Sequence, residues 1–337
     1  MTEHTTAELK DLTGALKTGW QRFLTVYEPL RPELYRYCRY LSRSPWDAED
    51  LAQDTMARAF VTLGSMFEGP RHPRAWLFRV ASNLWIDRQR QSREEAGAVP
   101  EGRLETEPRA AREAAGTLLA QLSPQERAAV VLKDVFGWSL EETAEAVSTT
   151  VGAVKSALHR GRDKLLDPEP APPHAPPPEV LDAFCAAFNA RDVDRLTALL
   201  LDTASIEVVG IHTEYGPEAA RQGVFQGMLY GSRRMAEAET RGGIEPRWKQ
   251  SVLPEPARME LRLHRGEPLL LSWYQHRDGE EKVRAVTRVE LDPESGAIAR
   301  MWNYFFTPEV IAEVSDELGL PHRTNGTLSG CIRPFKR

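Results

Sequence analysis

The stretch that decides the fold of the central region is LSPQERAAVVLKDVFGWSLEETAEAVSTTVGAVKSALHRGRDKL, residues 122–165. It predicts two short helices, a tight turn and a third helix. Ser123 is followed three residues later by Glu126, and Ser139 by Glu142. Each pair forms a capping box, in which the two side chains satisfy backbone N–H groups that have no partner at a helix start. Pro124 takes the first helical position, where its missing N–H costs nothing.

The third helix of this stretch has one apolar and one polar face. Its apolar residues recur at helical spacing: Val151, Val154, Leu158 and Leu165. The other face carries hydroxyl, imidazole and basic side chains: Thr149, Thr150, Lys155, Ser156, His159, Arg160, Arg162 and Lys164. A helix-turn-helix places such a helix in the DNA major groove, where its first side chains contact bases and basic ones contact phosphates. The stretch therefore predicts DNA binding.

Residues 20–92 predict an all-helical region. The buried stripes expected for its three helices are Leu30, Leu34, Cys38 and Leu41; then Leu51, Thr55 and Ala59, flanked by Ala52, Met56, Phe60 and Leu63; then Leu77, Val80, Ala81 and Leu84. Asp47 is expected to cap the second helix. A Gly- and Pro-rich break, EGPRHP at 68–73, precedes the third helix, which is expected from about Arg74 to Gln91.

Two polar surfaces stand out in this helical region. One is acidic and carries an amide: Asp47, Glu49, Asp50, Gln53 and Asp54. The other is rich in arginine: Arg79, Asn83, Trp85, Ile86, Asp87, Arg88 and Arg90. Arginines that meet phosphates, aromatic rings that stack on bases and an amide that reads a base edge suit melted, single-stranded DNA. The alternatives are an ordinary solvated helix face for the first and an ordinary surface with a core tryptophan for the second.

Three motifs in order resemble the extracytoplasmic-function (ECF) sigma factors of the sigma-70 family, over about residues 20–166. EDLAQDTMARAF resembles the family's polymerase-docking helix, and the 122–165 stretch resembles its −35-binding domain. AWLFRVASNLWIDRQR resembles the −10 helix pattern W-L-x-x-I-A-x-N-x-x-x-D-x-x-R. The matching positions are Trp76, Leu77, Ala81, Asn83, Asp87 and Arg90, with Val80 in place of the isoleucine.

The resemblance implies two partners, the RNA polymerase core with its β and β′ subunits and promoter DNA. Polymerase binding is implied for Asp50, Gln53 and Asp54. Contacts with the −10 element are implied for Arg79, Asn83, Arg88 and Arg90, with the loop Gly64–His72 as a pocket for an extruded base. Contacts with the −35 element are implied for Thr150, Lys155, Ser156, His159 and Arg160. The implied mechanism is binding without chemistry.

The last third of the chain has a different pattern. Two helices are expected in EVLDAFCAAFNARDVDRLTALL, followed by strand-like runs at 205–210, 258–264, 269–276, 282–291 and 297–306. This order resembles the cone-shaped α+β fold of SnoaL-like polyketide cyclases and nuclear transport factor 2. Related sigma factors carry such a domain at the C-terminus, which implies a built-in regulator.

This α+β region also offers candidate site residues. A general base could come from Asp202, His212, Glu214, His264 or His276, and the aromatic residues that could line a cavity include Tyr274 and Tyr304. The candidate ligand-pocket residues are His212, Trp248, Trp273 and Trp302; the alternative is that these aromatic residues, at alternate positions of strands, belong to the core. No acid–base dyad and no metal spacing stands out, so a ligand-sensing or regulatory module is favoured over an enzyme. Neither a cofactor nor a metal is expected.

The expected organisation is multidomain, with two all-α domains before the α+β domain. Its segments are a first sigma domain at 1–92, a flexible linker at 93–117, the helix-turn-helix domain at 118–166, a Pro-rich linker at 167–178, the SnoaL-like domain at 179–310 and a tail at 311–337. The Pro-rich linker has seven prolines in DPEPAPPHAPPP and favours an extended spacer.

Composition and charge bound the class of protein. The formal net charge is −6, yet residues 1–165 carry equal numbers of basic and acidic side chains, so the excess negative charge lies in residues 166–337. Three cysteines far apart support neither a disulfide framework nor a cysteine metal site. We expect no membrane span, because no apolar run approaches about 20 residues. A polar N-terminus without a signal pattern favours the cytoplasm.

Two alternatives to a sigma factor stay open at this point. A helix-turn-helix regulator that senses a ligand would leave the −10 motif and the acidic surface unexplained. A SnoaL-like isomerase or cyclase with a DNA-binding appendage would leave the first half of the chain unexplained.

Overall fold

The structure is a computed structural model that describes residues 3–97, 123–161, 178–230, 256–275 and 279–324. The chain divides into two compact units, Met1–Pro170 and Ala171–Arg337. In the described residues the first unit is helical, and the second combines helices with a six-stranded sheet. This agrees with the expected order of all-α regions followed by an α+β region.

Four helices form the N-terminal bundle, residues 3–97. They are α1 (Glu3–Tyr27), α2 (Arg31–Ser42), α3 (Pro45–Gly64) and α4 (Pro73–Gly97), with a 3-10 turn at Glu28–Leu30. The predicted stripes of α2 and α3 are largely buried, at Leu34, Cys38, Leu41, Leu51, Ala52, Thr55, Met56 and Ala59. Helix α4 buries Trp76, Leu77, Phe78, Ala81 and Trp85, while Val80 and Leu84 are half-buried. The aromatic residues of α4 thus form a larger part of its buried face than predicted.

The start of α3 differs from the prediction that Asp47 caps this helix. Ser44 is the cap: its backbone is extended (φ −112°, ψ 130°), and its hydroxyl accepts from the Asp47 backbone N–H at 3.3 Å. Pro45 fixes the first helical position. Asp47 lies in the first turn, where a carboxylate favours the positive end of the helix dipole.

Three helices form the middle bundle, residues 123–161: α5 (Pro124–Val130), extended by a π-helical turn at Val131–Val135, α6 (Leu140–Ala146) and α7 (Val151–Gly161). Both predicted capping boxes are confirmed. Ser123 and Glu126 bond each other's backbone N–H groups at 3.3 and 2.9 Å, and Ser139 and Glu142 do so at 3.0 and 2.8 Å. Short helices gain stability from such ends because a large fraction of their backbone groups lies near a terminus.

The sheet unit, described between residues 178 and 324, begins with four short helices and one early hairpin. The helices are α8 (Glu179–Asn189), α9 (Val193–Ala198), α10 (Pro217–Gln222) and α11 (Val224–Tyr230). The strands are β1 (Leu200–Val208), β2 (His212–Tyr215), β3 (Pro256–His264), β4 (Glu267–Gln275), β5 (Glu281–Leu291) and β6 (Ile298–Asn303). The order across the sheet is β2-β1-β6-β5-β4-β3. Among the strand pairs of the described residues, β1 and β6 pair in parallel and the other four pairs are antiparallel.

Both faces of the sheet are covered. One face packs its apolar residues against α8 to α11, with Phe184, Phe188 and Phe225 fully buried beside Ile206 and Met301. The other face is covered in part by α12 (Pro308–Glu317), which buries Val310, Ile311 and Val314. Two-sided burial explains why β4 is buried at every position from Leu269 to Tyr274 and is apolar there except at Ser272, without the alternation of a half-exposed strand.

The observed boundaries differ from the predicted ones at two places. Helix α4 runs to Gly97, beyond the expected boundary at residue 92. At the C-terminal end of the sheet unit, α12 begins at Pro308. The backbone N–H of Val283 on β5 donates to the Pro321 carbonyl, and the Val283 carbonyl accepts from the Arg323 N–H. Residues past 310 therefore belong to the sheet unit, where the sequence suggested a tail from 311. The packing of this segment on β5 joins residues about 40 positions apart in the sequence, so no local pattern showed it.

Candidate nucleic-acid interface

Helix α4 presents three of the predicted −10 residues on one side. At about 100° per residue, Arg79, Asn83 and Arg90 lie within a narrow sector of the helix. Asn83 and Arg90 are exposed to solvent. Arg79 is half-buried, and its guanidinium forms an ion pair with Glu145 of α6. Two of these three side chains are thus accessible to a ligand, and the third is engaged by the middle bundle.

Arg88 lies on the opposite side of α4. It forms an ion pair with Asp54 of α3, one of the residues predicted to face polymerase. Both side chains are partly exposed, so solvent screens the pair and its contribution to stability is small. Arg88 therefore lies closer to the acidic surface of α3 than to Asn83.

Trp85 is part of the core and is 7% exposed, in contrast to its expected place among base-stacking residues. The guanidinium of Arg127, on α5, lies 5.9 Å from its ring centroid. Its indole Nε1 is buried and has no hydrogen-bond partner among the described residues. In this structure the aromatic ring packs against protein and is not presented to solvent.

The acidic surface of α3 is smaller than predicted. Asp47, Asp50 and Asp54 are exposed, but Glu49 is fully buried and paired with Arg31 of α2. Gln53 is half-buried and donates to Glu49 Oε1 at 2.7 Å. A buried arginine–carboxylate pair serves the fold, since removing either partner would leave a charge in the core. The accessible acidic groups are therefore the three aspartates.

The loop between α3 and α4 is open to solvent and presents two exposed apolar side chains. Met66 is 40% exposed, and Phe67 is exposed to the full extent of an isolated side chain, at 108%. Exposed aromatic side chains of this kind can stack on an unpaired base. The position agrees with the predicted Gly64–His72 pocket for an extruded base, which stays a prediction.

Helix α7 presents its predicted polar face. Thr150, Lys155, Ser156 and His159 are exposed, while Val154, Ala157 and Leu158 are buried against the rest of the middle bundle. The Thr150 hydroxyl accepts from the Ala153 N–H at 3.2 Å and so caps the helix start. The side chains from Arg160 onward, with Arg162, Lys164 and Leu165, lie outside the described residues. The turn before α7 contains Ser148 at φ 53°, a left-handed conformation that lets α6 and α7 cross.

A contact between the two bundles was not predicted from sequence. Phe78 of α4 packs against Trp138 and Phe136, with ring centroids 5.3 and 5.7 Å apart. Arg74 lies over the Trp138 ring at 4.9 Å, and Arg127 Nη1 donates to the Leu41 carbonyl at 3.0 Å. The only local signal was the aromatic pair Phe136 and Trp138 around Gly137, which the capping pattern left unused.

Arg74 is held from both sides. Its Nε donates to Glu33 Oε2 at 2.9 Å, and a second bond joins the same two side chains. These hydrogen bonds lower the pKa of Glu33, against an opposing effect of burial. The arginine plane is thus fixed by α2 while its face contacts Trp138, which favours a cation–π contact in a defined geometry.

In the sheet unit, the predicted pocket residues divide between the two faces. His212 pairs in register with Val208, and Val208 with Asn303, so His212 and Asn303 share a face. Trp302 follows on the other face, where Arg288 lies over its ring at 5.6 Å. Trp273 is on that same side, and the guanidinium of Arg258 lies over its ring, 4.5 Å from the centroid. Trp248 lies outside the described residues.

The candidate general bases have structural partners. His212 is exposed at the sheet edge, 3.2 Å from Glu214, whose other oxygen accepts from the Val224 N–H at 2.8 Å. His264 is buried, and its Nε2 lies 2.7 Å from Glu317. Burial raises the pKa of Glu317, but hydrogen bonds from Arg265 and His264 outweigh it and lower this pKa. Asp202 is exposed and His276 is outside the described residues.

The chain belongs to the ECF RNA polymerase sigma factor family. Family models for Sigma-70 region 2 and Sigma-70, region 4 match residues 26–95 and 112–165. The ECF RNA polymerase sigma factor SigW of Bacillus subtilis is 31% identical over 177 residues, which cover 47% of this chain and 94% of SigW. SigG of Mycobacterium tuberculosis is 32% identical over 221 residues, 54% of this chain. The chain spans 60% of the length of SigG.

Two solved structures are also similar in part. The extracytoplasmic function sigma factor SigJ of Mycobacterium tuberculosis aligns with 85% of this chain and 97% of its own, at 23% identity and a TM-score of 0.30. A polyketide cyclase-like protein of Xanthomonas campestris aligns with 41% of this chain and 95% of its own, at 19% identity and a TM-score of 0.24.

Two further properties concern the described residues alone. No helix among them is long and apolar enough to cross a membrane. No group of three or more His, Cys, Asp and Glu side chains among them is arranged to hold a metal ion.

Proposed function

We propose that this protein directs promoter-specific initiation of transcription by RNA polymerase. The observation that carries the proposal is the pairing, in one chain, of α4 with an exposed Asn83–Arg90 face and a helix-turn-helix with an exposed α7 face. Family membership supports the same function. The −10 helix would hold one strand of the opened promoter, and α7 would bind the duplex at the −35 element.

Each step of this mechanism is binding. Arg90 and Arg79 would pair with phosphates, and the Asn83 amide would hydrogen-bond a base edge of the unpaired strand. Phe67 and its loop would stack on an extruded base, which favours the melted state over the duplex. On α7, Thr150 and Ser156 at the start would read bases, while Lys155 and Arg160 contact phosphates. Polymerase itself makes the RNA.

The polymerase core would bind the aspartates of α3. Asp50 and Asp54 are exposed, and acidic groups on a helix suit a basic surface of a partner. Gln53 would contribute less, since its amide is already bonded to Glu49. The β and β′ subunits are the proposed partners, as the resemblance of the α3 sequence implies.

The sheet unit would regulate the sigma activity from within the chain. Its composition supports a role other than DNA binding, because the excess negative charge of the protein lies in residues 166–337. A cone-shaped SnoaL-like fold would offer a ligand cavity, and a small molecule there would be the signal. We favour sensing over catalysis because His264 and Glu214, two candidate bases, are engaged in hydrogen bonds that serve the fold.

Transcription from a purified template with core polymerase tests the proposed function. Adding this chain should produce a defined transcript that core polymerase alone does not make. A helix-turn-helix regulator would require another sigma factor in the same reaction, and an enzyme would not change the RNA products at all. Absence of any transcript across a genomic template library would contradict the proposal.

Deletion of residues 179–337 tests the regulatory part separately. We expect the shortened chain, which keeps both bundles, to initiate at the same start points with altered yield. A matched chain that keeps the sheet unit but carries Glu294→Ala, exposed in the turn between β5 and β6, should behave like the full protein. Equal yield from the full and shortened chains would argue against regulation by the sheet unit.

A further inference from the structure

One end of the helix-covered face of the sheet is polar although it is buried. Leu270 and Met301 belong to this face and pack against α8 to α11. Ser272 and Asn303 lie two residues further along the same strands, and therefore on the same face. Thr287 on β5 aligns with both Leu270 and Asn303. Ser272, Thr287 and Asn303 are 2%, 0% and 4% exposed, and polar groups buried this deeply carry a cost unless they meet a hydrogen-bond partner.

Two aromatic residues and an alanine complete this end of the face. Tyr274 follows Ser272 on the same side of β4 and shares a buried cluster with Ala285 and Phe305. The ring centroids of Tyr274 and Phe305 are 6.0 Å apart. Ala285 aligns with Ser272 and is two residues from Thr287 on β5, so the smallest side chain stands between larger ones. We call Ser272, Tyr274, Ala285, Thr287, Asn303 and Phe305 the Tyr274 site.

The polar groups of the Tyr274 site use only part of their hydrogen-bonding capacity. Asn303 Nδ2 donates to Thr287 Oγ1 at 3.0 Å, which leaves the Thr287 proton for a further acceptor. Among the described residues, none forms a hydrogen bond with Asn303 Oδ1 or with the hydroxyls of Ser272 and Tyr274. Three hydroxyls and an amide oxygen thus meet in one buried place with too few protein partners. Folded proteins complete such groups with an ordered water or a ligand.

Two positive charges act on the Tyr274 hydroxyl. The guanidinium of Arg284, on β5, lies 5.5 Å from the Tyr274 ring centroid. Arg191 follows the end of α8, with its backbone in the left-handed region at φ 59°. Burial raises the pKa of Tyr274, and the charges of Arg284 and Arg191 oppose that rise. At neutral pH the hydroxyl therefore keeps its proton and can donate a hydrogen bond beside two guanidinium groups.

These groups fit a carboxylate better than a neutral or a cationic ligand. Hydroxyl groups donate to carboxylate oxygens in short, charge-assisted hydrogen bonds, and a nearby guanidinium favours the same negative charge. A cation would instead meet the charges of Arg191 and Arg284. The other surroundings are apolar and aromatic, since Phe305 packs against Phe306 with ring centroids 4.8 Å apart. A few convergent polar groups beside aromatic rings are typical of a small-molecule site.

We propose that the Tyr274 site binds a small organic acid with an alkyl or aryl body, and that the hydroxyls of Ser272, Tyr274 and Thr287 hold its carboxylate. The site lies on the face of the sheet opposite to Trp273 and Trp302, so it is distinct from the pocket expected from the sequence. Its use as a signal for the sigma activity rests on the proposed function, whereas binding of the acid does not.

Isothermal titration calorimetry of the full-length protein with octanoate and with 2-naphthoate tests this proposal. Octanamide and 2-naphthamide have the same shapes without the charge and serve as controls. We expect at least one of the acids to bind, one molecule per chain, and about 10-fold or more tightly than its amide, because hydrogen bonds to a charged group are stronger. No binding of either acid at up to about 1 mM would overturn the proposal and leave the polar groups to ordered water. Equal affinity for acid and amide would also overturn it.

Removal of single hydroxyl groups locates the site. Tyr274→Phe and Ser272→Ala should each weaken binding of the acid by about 10- to 150-fold, as expected for a lost hydrogen bond to a charged group. The matched controls are Tyr215→Phe, 73% exposed on β2, and Ser205→Ala, on the opposite face of β1, and both should bind like the parent protein. Melting temperatures without acid should be the same in all variants, since neither test hydroxyl bonds a described residue. Equal affinities of test and control variants would overturn the proposal.

Transcription with core polymerase separates this inference from the proposed function, because the calorimetry needs neither polymerase nor DNA. If an acid binds at the Tyr274 site but no reaction with core polymerase yields a transcript, the site stands and the sigma function fails. If this chain directs a defined transcript but neither acid binds, the ligand site fails alone.

Discussion

Helices α4 and α7 carry the two proposed DNA surfaces, and they differ in how much of each surface is free. On α7 the polar residues from Thr150 to His159 are exposed and opposed by a buried apolar side. On α4 the side chain of Arg79 is bound to Glu145, Arg88 is bound to Asp54, and Trp85 is buried. A helix at the edge of a small bundle can leave one face to its ligand. A helix in the middle of a core must share its faces between packing and binding.

The largest effect is expected at Asn83, the exposed amide of the α4 surface. Asn83→Ala should lower promoter opening by about 5- to 150-fold, since one good base contact is worth ~1–3 kcal/mol. Polymerase binding should change little, because Asn83 lies away from the aspartates of α3. Ser92→Ala, an exposed position on the opposite side of α4, is the matched control. Permanganate reactivity measures opening, and a pull-down measures polymerase binding. Equal opening in the two variants would remove Asn83 from the −10 surface.

A smaller effect is expected on α7. Lys155→Ala should weaken binding to a −35 duplex several-fold and reduce the slope of log affinity against log salt by about 0.9, the value for one lost phosphate contact. The reason is that the exposed ammonium releases a counterion from DNA when it binds. Fluorescence anisotropy at four salt concentrations gives both quantities. Arg58→Ala, exposed on α3, should leave the slope unchanged. An unaltered slope for Lys155→Ala would indicate that α7 does not meet the backbone there.

The smallest effect is expected from the pair of Glu33 and Arg74, which stabilises the side of α4 that packs against the middle bundle. The hydrogen bonds from Arg74 lower the pKa of Glu33 in the folded state. Glu33 therefore stabilises the fold above its unfolded pKa, near 4.5, and this contribution is lost as pH falls through the lower folded pKa. Between pH 7 and pH 3.5 the parent protein should lose about 0.5–1 kcal/mol more than Glu33→Gln, a value reduced for solvent screening.

Hydrogen–deuterium exchange of α2 and α4 peptides measures this difference locally. Glu68→Gln, exposed in the loop before α4, serves as the control and should show the acid sensitivity of the parent protein. If Glu33→Gln is equally sensitive to acid, the Arg74–Glu33 pair does not stabilise this side of the bundle.

Local patterns predicted most of the helical unit. The capping boxes at Ser123 and Ser139 and the buried line of α3 depend on contacts within a few residues, which a sequence displays directly. The start of α3 was misassigned to Asp47 because two polar residues in one turn can both cap a helix, and only Pro45 favours Ser44. The predicted acidic surface of α3 included Glu49, whose partner Arg31 lies 18 residues away. Long-range partners of this kind leave no periodic signal.

The sheet unit was predicted less completely for the same reason. Five of its strands were expected, but β2 is four residues long and polar, and it forms only because β1 offers an edge. The proposed pocket assumed that His212, Trp273 and Trp302 share a cavity. The strand register places these side chains on opposite faces of the sheet. His212 aligns through Val208 with Asn303, and Trp302, the neighbour of Asn303 on β6, lies on the other face. The strand alternation was visible in the sequence, but the order β2-β1-β6-β5-β4-β3 was not.

Footprinting of the reconstituted complex of this chain, core polymerase and promoter is the most direct test of the central claim. We expect duplex protection centred near −35 together with permanganate-reactive, unpaired thymines near −10, both dependent on this chain. Loss of protection with an α7 variant and loss of reactivity with Asn83→Ala would assign each signal to its helix. A complex that shows neither protected duplex nor unpaired bases at any template would contradict the claim.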